Sequence, residues 1–168
     1  MASENQNFPL AGLARDGWST DDEATATCLC GAIQVSFPVS GEGFVNAFVC
    51  HCANCRKITA SMFASNFVIK KTHLKWVRGR ENLKEFTQSE TIRRGNDMTN
   101  SFCSTCGGLM WRYSSGNPDI FFMRIGTVDD FHLHETKLRP QVEIFTEGRV
   151  AWLDAIEGVE QVHGMPNI

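Results

Sequence analysis

Val49-Cys50-His51-Cys52-Ala53-Asn54-Cys55-Arg56-Lys57 is the stretch from which the fold is read. Three thiols stand at C-x-C-x-x-C spacing with two cations directly behind them. The chain holds 7 cysteines, and the other four fall into two pairs, Cys28-Leu29-Cys30-Gly31 and Cys103-Ser104-Thr105-Cys106-Gly107. A short-spaced pair followed by glycine suits a metal knuckle. The first thiolate binds, the chain reverses, and glycine accepts the positive φ that brings the second thiolate round to the same ion. Clustered thiols with an odd total read as metal ligands or redox groups in a reducing, cytoplasmic setting rather than as disulfides.

The chain of 168 residues is long enough to bury one core, with 42% hydrophobic and 21% charged residues. A net charge of -3 and a pI near 5.9 give no reason to expect nucleic acid or an anionic membrane as a partner. No apolar run approaches the roughly 20 residues of a membrane span. Met1 to Asn7 has neither the basic region nor the apolar stretch of a signal peptide. Three regions are expected: a flexible or loosely docked polar extension over 1–23, a zinc-binding body over 24–155, and a C-terminal tail over 156–168.

From Ala24 the texture is that of short strands. Ala32 to Phe37 alternates apolar and polar, and Pro38 ends the run. Further strands are expected over Phe44–Val49, Met62–Ile69, Leu74–Val77, Leu83–Phe86, Thr91–Arg93, Thr99–Phe102, Leu109–Tyr113, Ile120–Ile125, Val142–Phe145 and Val150–Leu153, with a helical turn over Arg56–Ser61. Short strands punctuated by turn residues predict a mainly β sandwich or rolled sheet with little helix.

A structural zinc takes four ligands, commonly all cysteine, and Cys28, Cys30, Cys103 and Cys106 make such a set. Cys50, Cys52 and Cys55 remain, one short of a closed shell, which is the pattern of a catalytic zinc with an open position. Other arrangements stay open at this level: a fourth ligand from His51, His73, His132 or His134, a different pairing of thiols with ions, or an iron–sulfur group. An open three-thiolate site favours soft sulfur ligands and suits making or breaking a carbon–sulfur bond. Arg56 and Lys57, or Arg93 and Arg94, can hold the carboxylates of an anionic thiol such as glutathione. Two other readings use the same residues: a Lewis-acid zinc enzyme acting on a small metabolite without thiol, and a non-catalytic zinc-stabilised binding module.

Cys28-x-Cys30-Gly31, Cys50-His51-Cys52-x-x-Cys55-Arg56-Lys57, Phe102-Cys103-x-x-Cys106-Gly107 and the closing run Arg139 to Phe145 with Trp152 resemble the glutathione-dependent formaldehyde-activating enzyme family. The resemblance covers roughly residues 24 to 155. It implies an Mss4-like β fold, a structural zinc on Cys28, Cys30, Cys103 and Cys106, and a more labile catalytic zinc on Cys50, Cys52 and Cys55. It also implies carbon–sulfur lyase activity, with glutathione as co-substrate and S-hydroxymethylglutathione as the founding product. Glu143, where many relatives have His, and the long N-terminal extension depart from the family pattern.

Overall fold

The computed structural model describes residues 12–165. In chain order its strands are β1 (Glu23–Thr27), β2 (Gln34–Pro38), β3 (Phe44–Cys50), β4 (Ala64–Lys70), β5 (Lys75–Arg78), β6 (Leu83–Gln88), β7 (Met98–Cys103), β8 (Leu109–Ser114), β9 (Asn117–Arg124), β10 (Val142–Ile144) and β11 (Glu160–Val162). The two α-helices are short, α1 (Ala53–Thr59) and α2 (His132–Glu135). The protein is therefore mainly β, as expected. No described helix is long and apolar enough to cross a membrane.

A small antiparallel sheet has the order β1-β2-β5, and a large mixed sheet the order β11-β10-β3-β4-β9-β8-β7-β6. β10 runs parallel to both β3 and β11, while the other pairs in the large sheet are antiparallel. The alternation of side chains along a strand gives the large sheet two different faces. Ala47, Phe67, Ile69, Trp111, Phe121 and Met123 point toward the small sheet and join Ala24, Ala26, Val35 and Phe37 in the main core. Phe37 of the small sheet meets Phe67 of the large one at a ring separation of 4.6 Å. Phe48, Cys50, Ala64 and Val68 lie on the opposite face, in a second apolar cluster with Cys55 and Ile144. With both faces covered, β3, β4 and β9 contain the near-continuous buried runs usually found in the middle of a layered fold.

The differences from the expected strands have local causes. Thr91–Arg93 is a turn, because Thr91 is tied to Gln88 and Ile92 N donates to Ser89 O. Val150–Leu153 is another turn, closed by Leu153 N on Val150 O, with Trp152 73% exposed. β1 was not anticipated, since its sequence Glu-Ala-Thr-Ala-Thr looks polar; Thr25 and Thr27 are buried and donate to Asp129 at 2.6 and 2.7 Å. Part of the extension expected over 1–23 lies outside the described residues. Residues 12–22 are docked: Leu13 N donates to Leu29 O, Trp18 N to Thr25 Oγ1, and Asp16 pairs with Arg78. Residues 156–165, set apart above as a tail, contribute β11.

The Phe37–Phe67 contact spans the two sheets, so Phe67→Ala is expected to cost about 3–5 kcal/mol. Phe86→Ala, on an exposed edge-strand position, should stay within about 0.5 kcal/mol. Urea unfolding of both variants checks the difference.

Candidate metal centres and their surroundings

Cys28 and Cys30 lie in the turn between β1 and β2, while Cys103 ends β7 and Cys106 lies in the turn that leads to β8. Their four sulfurs lie within 4.8 Å of one another. Gly31 and Gly107 both take the left-handed backbone the knuckles require, with φ of 81° and 71°. Gly31 N donates to Cys28 O and Gly107 N to Cys103 O, which closes each reversal. Cys28 Sγ is 3.6 Å from Cys30 Sγ, and Cys30 Sγ is 3.7 Å from Cys103 Sγ. Four sulfurs arranged tetrahedrally at about 2.3 Å from one zinc ion would be about 3.8 Å apart, so this donor set fits a zinc ion. Burial disfavours ionisation of Cys103, but the Cys106 and Thr105 amides outweigh it and bring the thiol to about 7. Burial pushes Cys28 up to about 12.

Cys50 ends β3, and Cys52 caps the N-terminus of α1, its sulfur accepting the Cys55 amide at 3.4 Å. Cys55 lies on the buried side of α1. The three sulfurs lie within 4.8 Å of one another, and no His, Asp, Glu or further Cys among the described residues joins them. This donor set also fits a soft divalent ion such as zinc, with one ligand short of four. Both clusters can therefore hold metal ions.

Two arginines, not singled out in the sequence, lie beside this trio. Arg112 of β8 and Arg124 of β9 share the large-sheet face that carries Cys50 and are only 8% and 5% exposed. Arg112 Nη1 donates to Cys55 Sγ at 3.4 Å, and Arg124 Nη1 donates to Asn66 Oδ1 on β4. Hydrogen bonds from Cys50 and Cys52 hold the Cys55 thiol well below its ordinary range; Arg112 and Arg124 add to this against the opposing effect of burial. Cys50 is pushed up by its bonds with Cys52 and Cys55 and by burial. Arg112 thus sets a cation directly against Cys55 of the trio. Burial lowers Arg124 to about 10, which leaves it cationic at neutral pH.

His51 points away from the trio. It is fully buried, and its Nε2–H donates to Glu143 Oε1 at 2.8 Å. Glu143 Oε2 accepts Ile156 N at 2.8 Å, Gln161 Nε2 at 2.7 Å and Arg149 Nη2 at 3.4 Å. One carboxylate thus ties the residue between two trio cysteines to the 149–161 segment. Burial alone would raise the Glu143 carboxyl, but these donors hold it below the ordinary range. Behind His51 the 148 loop presses close: a Cβ on Gly148 would come within 2.6 Å of His51 O.

A family model described as glutathione-dependent formaldehyde-activating enzyme matches residues 23–148. The chain belongs to this family. Family membership supports a glutathione-related function. A crystal structure of a Rhodobacter sphaeroides protein is 26% identical to it with a TM-score of 0.46, over 61% of this chain and 85% of that one. No curated protein matches the chain.

Among the described residues none of the four histidines considered as a fourth ligand joins the trio. His51 is bound to Glu143, His73 Nδ1 meets Thr72 Oγ1 at 3.1 Å, and His134 stacks on Phe131 beside His132 on α2. Arg56 donates to Gly148 O at 3.3 Å and contacts Met62 Sδ. Arg56 and Lys57 border a groove of about 440 Å³ along the outer side of α1. Arg93 and Arg94 are exposed on a loop tied to the trio, since Thr91 exchanges two hydrogen bonds with Asn54, the residue between Cys52 and Cys55 in α1. Arg112 and Arg124 are the residues sequence reasoning missed; Glu143 was noted there only as a departure from the family pattern, without its pairing to His51. A charged residue inside an otherwise apolar strand pattern was the available signal for Arg112 and Arg124.

Glu143→Ala leaves His51 Nε2, Ile156 N and Gln161 Nε2 without their acceptor. Removing one partner of such a buried pair should cost about 3–5 kcal/mol. Chemical unfolding checks this; an unchanged midpoint would mean that the network contributes no stability.

Proposed function

We propose that the protein forms or breaks a carbon–sulfur bond in a thiol adduct. Glutathione or a related thiol supplies the sulfur, and Cys50, Cys52 and Cys55 hold a catalytic zinc ion. The observation that carries this reading is a trio of thiols without a fourth protein ligand among the described residues. Structural zinc sites are closed by four ligands, whereas catalytic ones leave a place for substrate. Zinc bound there supplies Lewis acidity and favours the thiolate form of an incoming sulfur. Cys28, Cys30, Cys103 and Cys106, a complete set, hold a structural zinc.

In the addition direction the thiol sulfur bonds to a carbonyl carbon as the carbon–oxygen π bond opens. The thiol proton ends on the new hydroxyl oxygen, and the reverse step returns it. The chain's own residues frame this exchange. Phe48, Phe122, Ile144 and Phe145 form an apolar surround to the trio that keeps water from the reacting sulfur. His51 and Glu143 act as positioning residues: their pairing fixes the backbone from which Cys50 and Cys52 project. Arg93 and Arg94, on the loop strapped to Asn54, and Arg56 and Lys57 on α1 are candidate contacts for the carboxylates of the thiol substrate.

Cys52→Ser is expected to lower the zinc content from two ions to one and abolish thiol-dependent turnover, while the far-ultraviolet circular dichroism stays unchanged. Metal analysis, a glutathione–aldehyde assay and spectra of the same preparation check all three. Full turnover in that variant, or turnover that persists without any thiol, overturns the reading.

A further inference from the structure

Buried charge must be compensated, and Arg112 and Arg124 are not compensated by any carboxylate. Among the described residues the carboxylate ion pairs engage Lys70, Lys75, Arg78, Arg149 and His51, never these two. Three of their nitrogens, Arg112 Nε and Arg124 Nε and Nη2, are buried without any hydrogen-bond partner. Such groups are costly unless charge nearby holds them in place. The first cysteine cluster provides the contrast: Arg78, the arginine on its side of the molecule, is neutralised by Asp16, with Arg78 Nη2 3.0 Å from Asp16 Oδ1.

This inference rests on the reading of Cys50, Cys52 and Cys55 as a divalent metal site. Three thiolates around a divalent ion carry one net negative charge. Two guanidiniums beside them turn the total to one net positive charge, in a region bordered by the apolar Phe48, Val68, Phe122 and Ile144. One further anion restores neutrality, and a neutral ligand does not.

We propose that Arg112 and Arg124 determine the charge of the ligand that completes the Cys50, Cys52 and Cys55 site, selecting an anion such as a thiolate over a neutral donor. Both act from beneath the trio as positioning and specificity residues, through their charge on the site, without touching the carbon half of the substrate. The selection also has a direction. A thiol enters as its anion, whereas an adduct, whose sulfur is a neutral thioether, loses the attraction and is released more readily.

Cobalt(II) loaded in place of zinc reports on this directly, because thiolate ligands give it a strong charge-transfer absorption. The loaded protein is titrated with 2-mercaptoethanol, azide and imidazole. In the wild type the two ligands that bind as anions should outcompete imidazole. Arg112→Met and Arg124→Met should each weaken 2-mercaptoethanol by about tenfold or more and leave imidazole within about twofold. Arg124→Lys, which keeps the charge, should recover most of the loss. If imidazole binds the wild type better than the anions, or all three ligands shift together in the Met variants, the proposal is overturned. A wild-type ranking with imidazole first overturns the proposal even where a Met variant does not fold. A wild type that takes up only one cobalt ion overturns the metal reading and this inference with it. Two cobalt ions with an unchanged anion preference in both Met variants overturn the role of the arginines alone.

Discussion

Four sulfurs drawn from two distant turns meet where the two sheets approach, and a metal ion held by them would tie the sheets together. Cys28 and Cys30 close the β1–β2 turn of the small sheet, and Cys103 and Cys106 close the β7–β8 turn of the large one. Cys30 and Cys103 stand 73 positions apart in the chain. Closing so long a loop carries an entropic cost that grows only slowly with length. A zinc ion held by the four thiolates would contribute on the order of 10 kcal/mol toward folding, more than enough to offset it. The Phe37–Phe67 contact and the rest of the main core fill the space between the two sheets.

With one face of the large sheet committed to that core, the other face is free for chemistry. Strand alternation sends Ala47, Phe67, Trp111 and Met123 inward, and places Phe48, Cys50, Asn66, Phe122, Arg112 and Arg124 on the opposite side. Cys50 and Cys52 are set by the end of β3 and the start of α1, two elements joined by His51. Because His51 is clamped by Glu143, and Glu143 by Ile156 and Gln161, the C-terminal segment reaches the trio without any ligand of its own. Glu143 is thus a structural hub in this chain.

Much of this was legible in the sequence because the signals are local. Cysteine spacing and the following glycines named both clusters, and period-two alternation located most strands. Expectation and structure part where the partner is remote. Thr25 and Thr27 read as polar until Asp129, about a hundred positions on, satisfies them in a buried strand. Val150–Leu153 has the apolar content of a strand, yet no neighbour offers it a ladder and it turns instead. Arg112 and Cys55 are 57 positions apart, and no periodicity reveals that the cation ends beside the thiol. The apolar pattern around Arg112 and Arg124 identified the strands and concealed the charges, because a strand pattern records which face a residue occupies and not what it meets there.

The reason the trio stops at three follows from the same geometry. All three cysteines come from one continuous segment, so a fourth protein ligand would have to arrive from an element facing it. β10 presents Ile144 to that side, β4 presents Ala64, Val68 and Asn66, whose Oδ1 accepts from Arg124, and β8 and β9 present Arg112 and Arg124. Apolar side chains have no lone pair to give, and a guanidinium is a donor without acceptor capacity. The Glu143 carboxylate, on the strand beside β3, is held by His51, Ile156 and Gln161. The facing elements thus offer charge without coordination, an arrangement that excludes a protein ligand while attracting an anionic one from outside.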